Sequence, residues 1–331
     1  MEFHPLKTGH QDLIHDISYG TSRPHSADPD FYGKRLATCS SDFKIKVWDL
    51  NPHTNQWLQN DSWKAHDSAV LKVRWAHPEH GQLIASCSMD RSILISEEQE
   101  SEQKCSGKRW REKRRITESR AVVYDISFAP VHLGLKLVSL APSHTNLSAS
   151  VSADGIVRIL ECLEPFNPTN WTVMDEFSVS SPTQQRIREA ESSFCVDWCL
   201  DRWAPAQLVV AAQNTLKIYK VGALEKFTPT HTIDAHAGLI RDVAWAPRMG
   251  RSYPLIATAC KDGRVRIFKI HVQDEEEVET VGDFDDHNGQ VWKVNWNVTG
   301  SILSSVGDDG MVKLWKATYL NQWKCMSTLA C

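Results

Sequence analysis

Nothing in the sequence marks a membrane span or an export signal. No apolar run approaches the roughly 18 residues that a spanning helix needs, and the opening stretch MEFHPLKTGHQD has no apolar core. A soluble protein made in the cytosol is therefore expected. Neither sign of charge is in excess. The 37 Lys and Arg stand against 41 Asp and Glu, a formal net charge of −4, so no global field argues for nucleic acid or an anionic membrane. Motifs for chemistry are missing as well. GxSxG, GxGxxG and the phosphate loop GxxxxGK with Ser or Thr do not occur. His77 and His80 in HPEH lack the spacing of a zinc protease, and Cys195 and Cys199 form a lone CxxxC with no second pair. An enzyme is not expected, and no cofactor or metal is. In a reducing compartment the nine Cys read as thiols and the sequons at Asn60, Asn146, Asn170 and Asn297 as unused.

What the sequence has is apolar material and repetition. Hydrophobic residues make up 41% and charged residues 24%, enough to bury a substantial core, and 13 Trp is an unusual number. The pattern apolar-x-x-apolar-x-aromatic recurs at Ile14/Ile17/Tyr19, Val70/Val73/Trp75, Val123/Ile126/Phe128, Ile240/Val243/Trp245 and Val291/Val294/Trp296. A sixth copy, Val196/Trp198, has Ser193 in its first position. The last two positions of each copy are two apart and share one face of a strand, with polar residues such as Asp16, Lys72, Asp125, Asp197, Asp242 and Lys293 on the other. After each copy comes a small-residue strand ending in Asp or Asn, then alternating apolar residues: LATCSSDFKIKVWD, IASCSMDRSILIS, SASVSADGIVRIL, LVVAAQNTLKIYK, IATACKDGRVRIF and LSSVGDDGMVKLW. Asp42, Asp90, Asp154, Asn214, Asp262 and Asp309 punctuate them, three times followed by Gly, which is the chemistry of a turn that needs positive φ.

Self-similarity at this period reads as an all-β fold of six four-stranded blades, residues 10–60, 61–115, 116–178, 190–230, 231–282 and 283–329 in round numbers. The units are identified as WD40 repeats, which implies a β-propeller with 1–331 as one domain. Side chains expected to form the family's hydrogen-bonded clusters are His10, Thr38, Asp42 and Trp48 in blade 1, and His287, Ser305, Asp309 and Trp315 in blade 6. Blade 2 offers His66, Ser86 and Asp90 with Ser96 in the Trp slot, and blade 5 offers His236, Thr258 and Asp262 with Phe268 there. Such clusters are structural, so these His residues are not catalytic candidates. Two stretches lengthen the spacing by about ten residues, near 20–30 and 140–149, and read as insertions. The basic run Lys104–Arg115 reads as a blade 2 loop and exposed outer strand rather than a phosphate site or import signal.

The termini carry a further expectation. TYLNQWKCMSTL supplies an outer strand to blade 6, so no N-terminal strand is needed to complete it, and a propeller open between blades 1 and 6 is expected. DLIHDISY, GKRLATCSSDFKIKVWDL and WKAHDSAVLKVRWAHPEHGQLIASCSMDRS resemble the small open propellers of the nuclear pore scaffold and the COPII coat. SADGIVRI (152–159), GRSYPLIATACKDGRVRIF (250–268) and residues 286–325 resemble the Seh-family nucleoporin rather than its Sec-thirteen sister. The resemblance implies a scaffold subunit of the Y-shaped nuclear pore coat. In it, a helical nucleoporin inserts a blade in trans through an interface above ~2,000 Å², supporting protein and mRNA transport. It also implies membership of the SEA/GATOR complex in TOR signalling at the vacuole or lysosome membrane, with membrane contact only through the complex. The docking surface is expected to include Ile14, Ile17 and Tyr19 of blade 1 and Val291, Val294 and Trp296 of blade 6. The alternatives are a COPII-type coat propeller and a closed WD40 peptide-binding adaptor.

Overall fold

The computed structural model describes residues 6–20, 35–51, 53–142, 155–164, 167–179, 193–222, 225–271, 278–318 and 322–330. Six four-stranded antiparallel sheets follow one another along the chain. Blade 1 comprises β1 (Ile14–Gly20), β2 (Arg35–Ser40), β3 (Lys44–Asn51) and β4 (Gln56–Lys64). Blade 2 comprises β5 (Val70–Trp75), β6 (Leu83–Ser88), β7 (Ile93–Glu98) and β8 (Trp110–Ile116). Blade 3 comprises β9 (Asp125–Phe128), β10 (Lys136–Pro142), β11 (Gly155–Cys162) and β12 (Trp171–Ser178). Blade 4 comprises β13 (Phe194–Trp198), β14 (Gln207–Ala212), β15 (Thr215–Val221) and β16 (Phe227–Ile233). Blade 5 comprises β17 (Ile240–Trp245), β18 (Leu255–Cys260), β19 (Val265–Ile270) and β20 (Val278–Phe284). Blade 6 comprises β21 (Val291–Trp296), β22 (Ile302–Gly307), β23 (Met311–Ala317) and β24 (Trp323–Ala330). In each sheet the strands lie in sequence order, a four-strand meander.

Two compact units divide the chain, residues 1–144 with 158–174, and residues 145–157 with 175–331. In the first, Ala37, Cys39, Ile45 and Val47 of blade 1 pack on Val70 and Val73 of blade 2. Ala85, Cys87, Ile93 and Ile95 of blade 2 pack in turn on Val123 and Ile126 of blade 3. In the second, Val209, Ala211, Leu216 and Ile218 of blade 4 meet Ile240, Val243 and Trp245, and Ala257, Ala259, Val265 and Ile267 of blade 5 meet Val291, Val294 and Trp296. Every contact has the same polarity. The small-residue face of one blade receives the apolar-x-x-apolar-x-aromatic face of the next. Sheets covered on both sides need apolar or small residues at every position. RLATCS, LIASCS and LIATAC, the second strands of blades 1, 2 and 5, are accordingly buried along their whole length.

The three-residue step in the motif has a structural cause. Pairing slips between Ile14 and Asp16, Val70 and Lys72, Ile240 and Asp242, and Val291 and Lys293. Each slip is a β-bulge whose extra residue restores the phase, so positions one, four and six of the motif all share a face. The turn Asp is equally regular: Oδ1 of Asp42, Asp90, Asp262 and Asp309 accepts the backbone N–H two residues on. The residue after it takes the left-handed conformation, at φ 65° in Phe43, 68° in Arg91, 83° in Gly263 and 66° in Gly310. Arg91 is exposed and carries a Cβ where its counterparts in blades 5 and 6 have none. Arg91→Gly is expected to raise stability by about 0.5–1 kcal/mol, read as a higher denaturant midpoint at unchanged slope.

In blade 3 the strand paired with β9 is Lys136–Pro142, with Leu137 opposite Phe128 and Leu140 opposite Asp125. Leu140–Pro142, expected at the start of an insertion, are therefore part of a strand. The remainder of that stretch, with SASVS and Asp154, lies outside the described residues, as do residues 21–34, which hold the first expected insertion.

Candidate partner-docking faces

The expected polar clusters form in blades 1, 2 and 6. His10 Nδ1 lies 2.9 Å from Asp42 and its Nε2 2.9 Å from the Thr38 hydroxyl, which accepts the Trp48 indole N–H at 3.3 Å. In blade 6 His287 is 3.0 Å from Asp309 and 2.7 Å from Ser305, which accepts from Trp315 at 2.9 Å. His66 joins Asp90 and Ser86, each at 2.9 Å. Ser96, in the aromatic slot, is buried. Burial alone would raise the Asp42 carboxyl, but hydrogen bonds from His10 and the Gln11 and Lys44 backbone N–H groups outweigh it and hold the pKa below the ordinary value. Burial depresses His10.

Blade 5 departs from the expected cluster. His236 keeps Thr258 at 3.3 Å, but Arg266 stands between it and Asp262, 2.8 Å from His236 Nδ1 and 2.9 Å from the carboxylate. Because Arg266 only donates, Nδ1 accepts and the proton sits on Nε2, facing Thr258. Burial, reinforced by the Arg266 charge, lowers the His236 pKa to about 4. Between that value and the unfolded 6.5 the unfolded chain binds the extra proton, so stability rises with pH across this window. Acidification from pH 7 to 4 is expected to remove about 3 kcal/mol through this residue. Denaturant titrations of wild type and His236→Gln at several pH values check it, the variant showing the shallower loss.

Two devices escaped the sequence reading. The polar position of the first strand is an inter-blade clasp. Asp16 accepts the Val73 N–H at 3.3 Å, Asp197 the Trp245 N–H at 2.8 Å and Asp242 the Val294 N–H at 3.2 Å. Asp16 and Asp242 are buried, so the bond satisfies donor and acceptor together. The basic position four residues after the turn Asp is the second device: Lys46 donates to the Thr8 and Gly9 carbonyls, and Lys313 to that of Asp286. The alternation in KIKVW and MVKLW held this signal.

The basic run is engaged within blades 1 and 2. Lys104 pairs with Asp49 at 2.9 Å, Arg109 with Glu98 at 2.6 Å and Lys113 with Glu97 at 2.7 Å, and residues 110–116 form the outer strand β8. Among the described residues there is no His/Cys/Asp/Glu group suited to a metal ion, and no helix is long and apolar enough to cross a membrane. Cys195 and Cys199 are buried and form no disulfide, and burial pushes Cys199 up to about 11, far from a reactive thiolate.

The six expected docking residues separate into two groups. Ile14, Ile17 and Tyr19 are 38%, 44% and 66% exposed. In the other blades the same motif positions are buried, except Trp75 and Phe128, which are half-buried. Val291, Val294 and Trp296 are also buried, at 0%, 2% and 8%, packed on blade 5, with the Trp296 indole N–H on the Ala244 carbonyl at 3.1 Å. Their assignment to a docking surface is corrected: the motif faces the preceding blade, so in blade 6 it is already covered. The less buried side of blade 6 is the opposite one. Along β22 buried Leu303, Ser305 and Gly307 alternate with half-buried Ile302, Ser304 and Val306, and across from these stand half-buried Val312 and Leu314. The corresponding face of β18 is fully buried.

Four-stranded meanders repeated six times, several tied by a His, a hydroxyl and an Asp, define a WD-repeat β-propeller. The family model for the WD domain, G-beta repeat, matches residues 3–49, 57–95, 227–269 and 278–316. The chain is 40% identical to Nucleoporin SEH1 of Saccharomyces cerevisiae over 367 aligned residues, 98% of each chain. It is 41% identical to Nucleoporin seh1 of Schizosaccharomyces pombe, across 98% of this chain and 95% of the relative, and 38% identical to Nucleoporin SEH1 of Homo sapiens, across 98% and 87%. The chain belongs to the SEH1 nucleoporin family, and so to the structural, non-enzymatic proteins of the nuclear pore.

Proposed function

We propose that this chain is a scaffold subunit of the Y-shaped nuclear pore coat. All six blades form one propeller, open between blades 1 and 6 and completed in trans by a blade that a helical scaffold nucleoporin inserts. The observation that carries this reading is the exposure of Ile14, Ile17 and Tyr19, three residues whose counterparts elsewhere are buried or half-buried. An apolar face of this kind is a docking site for a sheet. The half-buried face of Ile302, Val306, Val312 and Leu314 supports a second contact of the same kind. Each face by itself lacks what the repeat gives every other blade. The reading includes support of protein and mRNA transport through the pore. It also includes a second residence in the SEA/GATOR complex, acting in TOR signalling at the vacuole or lysosome membrane and reaching that membrane only through the complex.

Mixing the purified chain with the blade-forming segment of the helical nucleoporin, followed by size-exclusion chromatography with light scattering, tests the proposal. A stable one-to-one complex is expected. A chain that stays monomeric and is not shifted by the segment contradicts it.

A further inference from the structure

Within each compact unit, every contact between consecutive blades carries a polar tie from one first strand to the next. In three of them an Asp of one blade accepts a backbone N–H of the following blade: Asp16 from Val73, Asp197 from Trp245 and Asp242 from Val294. Between blades 2 and 3 the tie is reversed. Blade 2 carries Lys72 at that position, its ammonium lies 3.7 Å from Asp125 of blade 3, and Asp125 itself accepts the Ile126 N–H at 2.9 Å. Either way a first-strand N–H meets a carboxylate.

The first strand of blade 1 lacks this tie. Ile17 stands opposite Thr38 as Val73 stands opposite Ser86 and Val294 opposite Ser305. The shared register turns the Ile17 N–H the same way as theirs, away from the second strand. Its neighbour Asp16, unlike Asp125, is directed onto the next blade, to the Val73 N–H and Arg74. Among the described residues no carboxylate accepts the Ile17 N–H. At the matching position blade 6 has Lys293, which only donates. A second copy of this chain docking through its last blade would therefore bring an ammonium where an acceptor is needed.

We infer that the covering blade carries an aspartate on its innermost strand, and that its carboxylate accepts the Ile17 N–H as Asp242 accepts that of Val294. The inference rests on the proposal that a partner blade covers blade 1, and adds a chemical requirement on that partner. Ile17 is exposed, so water serves its N–H in the free chain. A sheet that excluded this water without supplying an acceptor would strand the donor. Aspartate has the right reach, since the same side chain spans from first strand to first strand at three other contacts, and an ionised acceptor makes the stronger bond.

The test leaves this chain intact and changes the partner. Each Asp of the blade-forming segment of the helical nucleoporin is replaced by Ala in turn, and each variant is titrated calorimetrically against the wild-type chain. In parallel the Ile17 amide is followed by NMR in a chain labelled with ¹⁵N-isoleucine. One replacement is expected to weaken binding about tenfold, and the Asn variant at the same place to be intermediate. The wild-type segment is expected to move the Ile17 amide proton downfield, and that one Ala variant to abolish the movement. Wild-type affinity in every Ala variant, or an Ile17 amide that does not move or moves alike with all of them, overturns the aspartate tie while leaving trans completion standing. Failure of the wild-type segment to bind at all removes both.

Discussion

An Arg35→Ala variant is expected to lose about 3–5 kcal/mol of stability, nearer the lower figure because its partners keep other cations. Arg35 is buried at the meeting of blades 1 and 2. Its guanidinium donates to both oxygens of Glu98 at 2.6 and 2.9 Å, to Asp49 at 3.0 Å and to Gln82 at 3.0 Å. Its flat faces lie 5.3 Å from the Trp75 ring and 5.8 Å from that of Trp110. Burial would lower its pKa, but Glu98 and Asp49 outweigh that and raise it, while Arg35 in turn helps hold Glu98 below the usual carboxylate value. Removing the cation leaves Glu98 to Arg109 alone and Asp49 to Lys104 and Asn60. Arg35→Lys keeps the charge but not the fork, so its loss is expected to be intermediate. Chemical denaturation of the three proteins measures the order, and an alanine variant as stable as wild type contradicts the account of this interface.

The second large effect concerns association. Asp at both positions 17 and 19, made as Ile17→Asp with Tyr19→Asp, is expected to weaken binding of the partner segment at least a hundredfold, about 2.7 kcal/mol. A sheet laid on this face would have to bury two carboxylates without partners. The isolated chain is expected to keep its melting temperature within a few degrees, because both side chains are already substantially exposed. The same change at Val73 and Trp75, which are packed in the core between blades 1 and 2, is expected to unfold the chain instead. Equal sensitivity of folding at the two places contradicts the claim that the first-strand face of blade 1 is uncovered.

Blade number, strand order and most of the polar clusters were legible because they depend on residue type at fixed spacing. A turn that needs Asp and a strand that needs small residues leave the same letters in every copy. Orientation was less legible. The motif Val291/Val294/Trp296 looks identical to Ile14/Ile17/Tyr19, yet one is covered and the other is not. What separates them is the neighbour, and a strand's own letters do not name its neighbour. The half-buried side of blade 6 was hidden for a related reason: Ile302, Val306, Val312 and Leu314 are as apolar as core residues, and only their alternation with fully buried positions reveals a less covered face. The Arg266 wedge in blade 5 was written in RVRIF, one letter away from the lysines of blades 1 and 6, but its insertion between His236 and Asp262 depends on a side-chain path that spacing does not fix.

Gly20 illustrates the limit from the other side. It closes β1 against the Trp75 ring, with which a Cβ would collide, so the residue is dictated by the next blade and not by its own strand. The indole N–H of Trp75 then reaches the Ser18 carbonyl at 3.1 Å, the contact that Trp296 repeats on Ala244.

Amide hydrogen exchange on the chain alone and in complex with the blade-forming segment of the helical nucleoporin tests the central claim most directly. Strong new protection is predicted over Ile14–Tyr19 of blade 1 and Ile302–Val306 of blade 6, with little change in the already buried first strands of blades 2 and 5. Protection confined to other surfaces, or none in either segment despite saturating partner, contradicts completion of the propeller in trans.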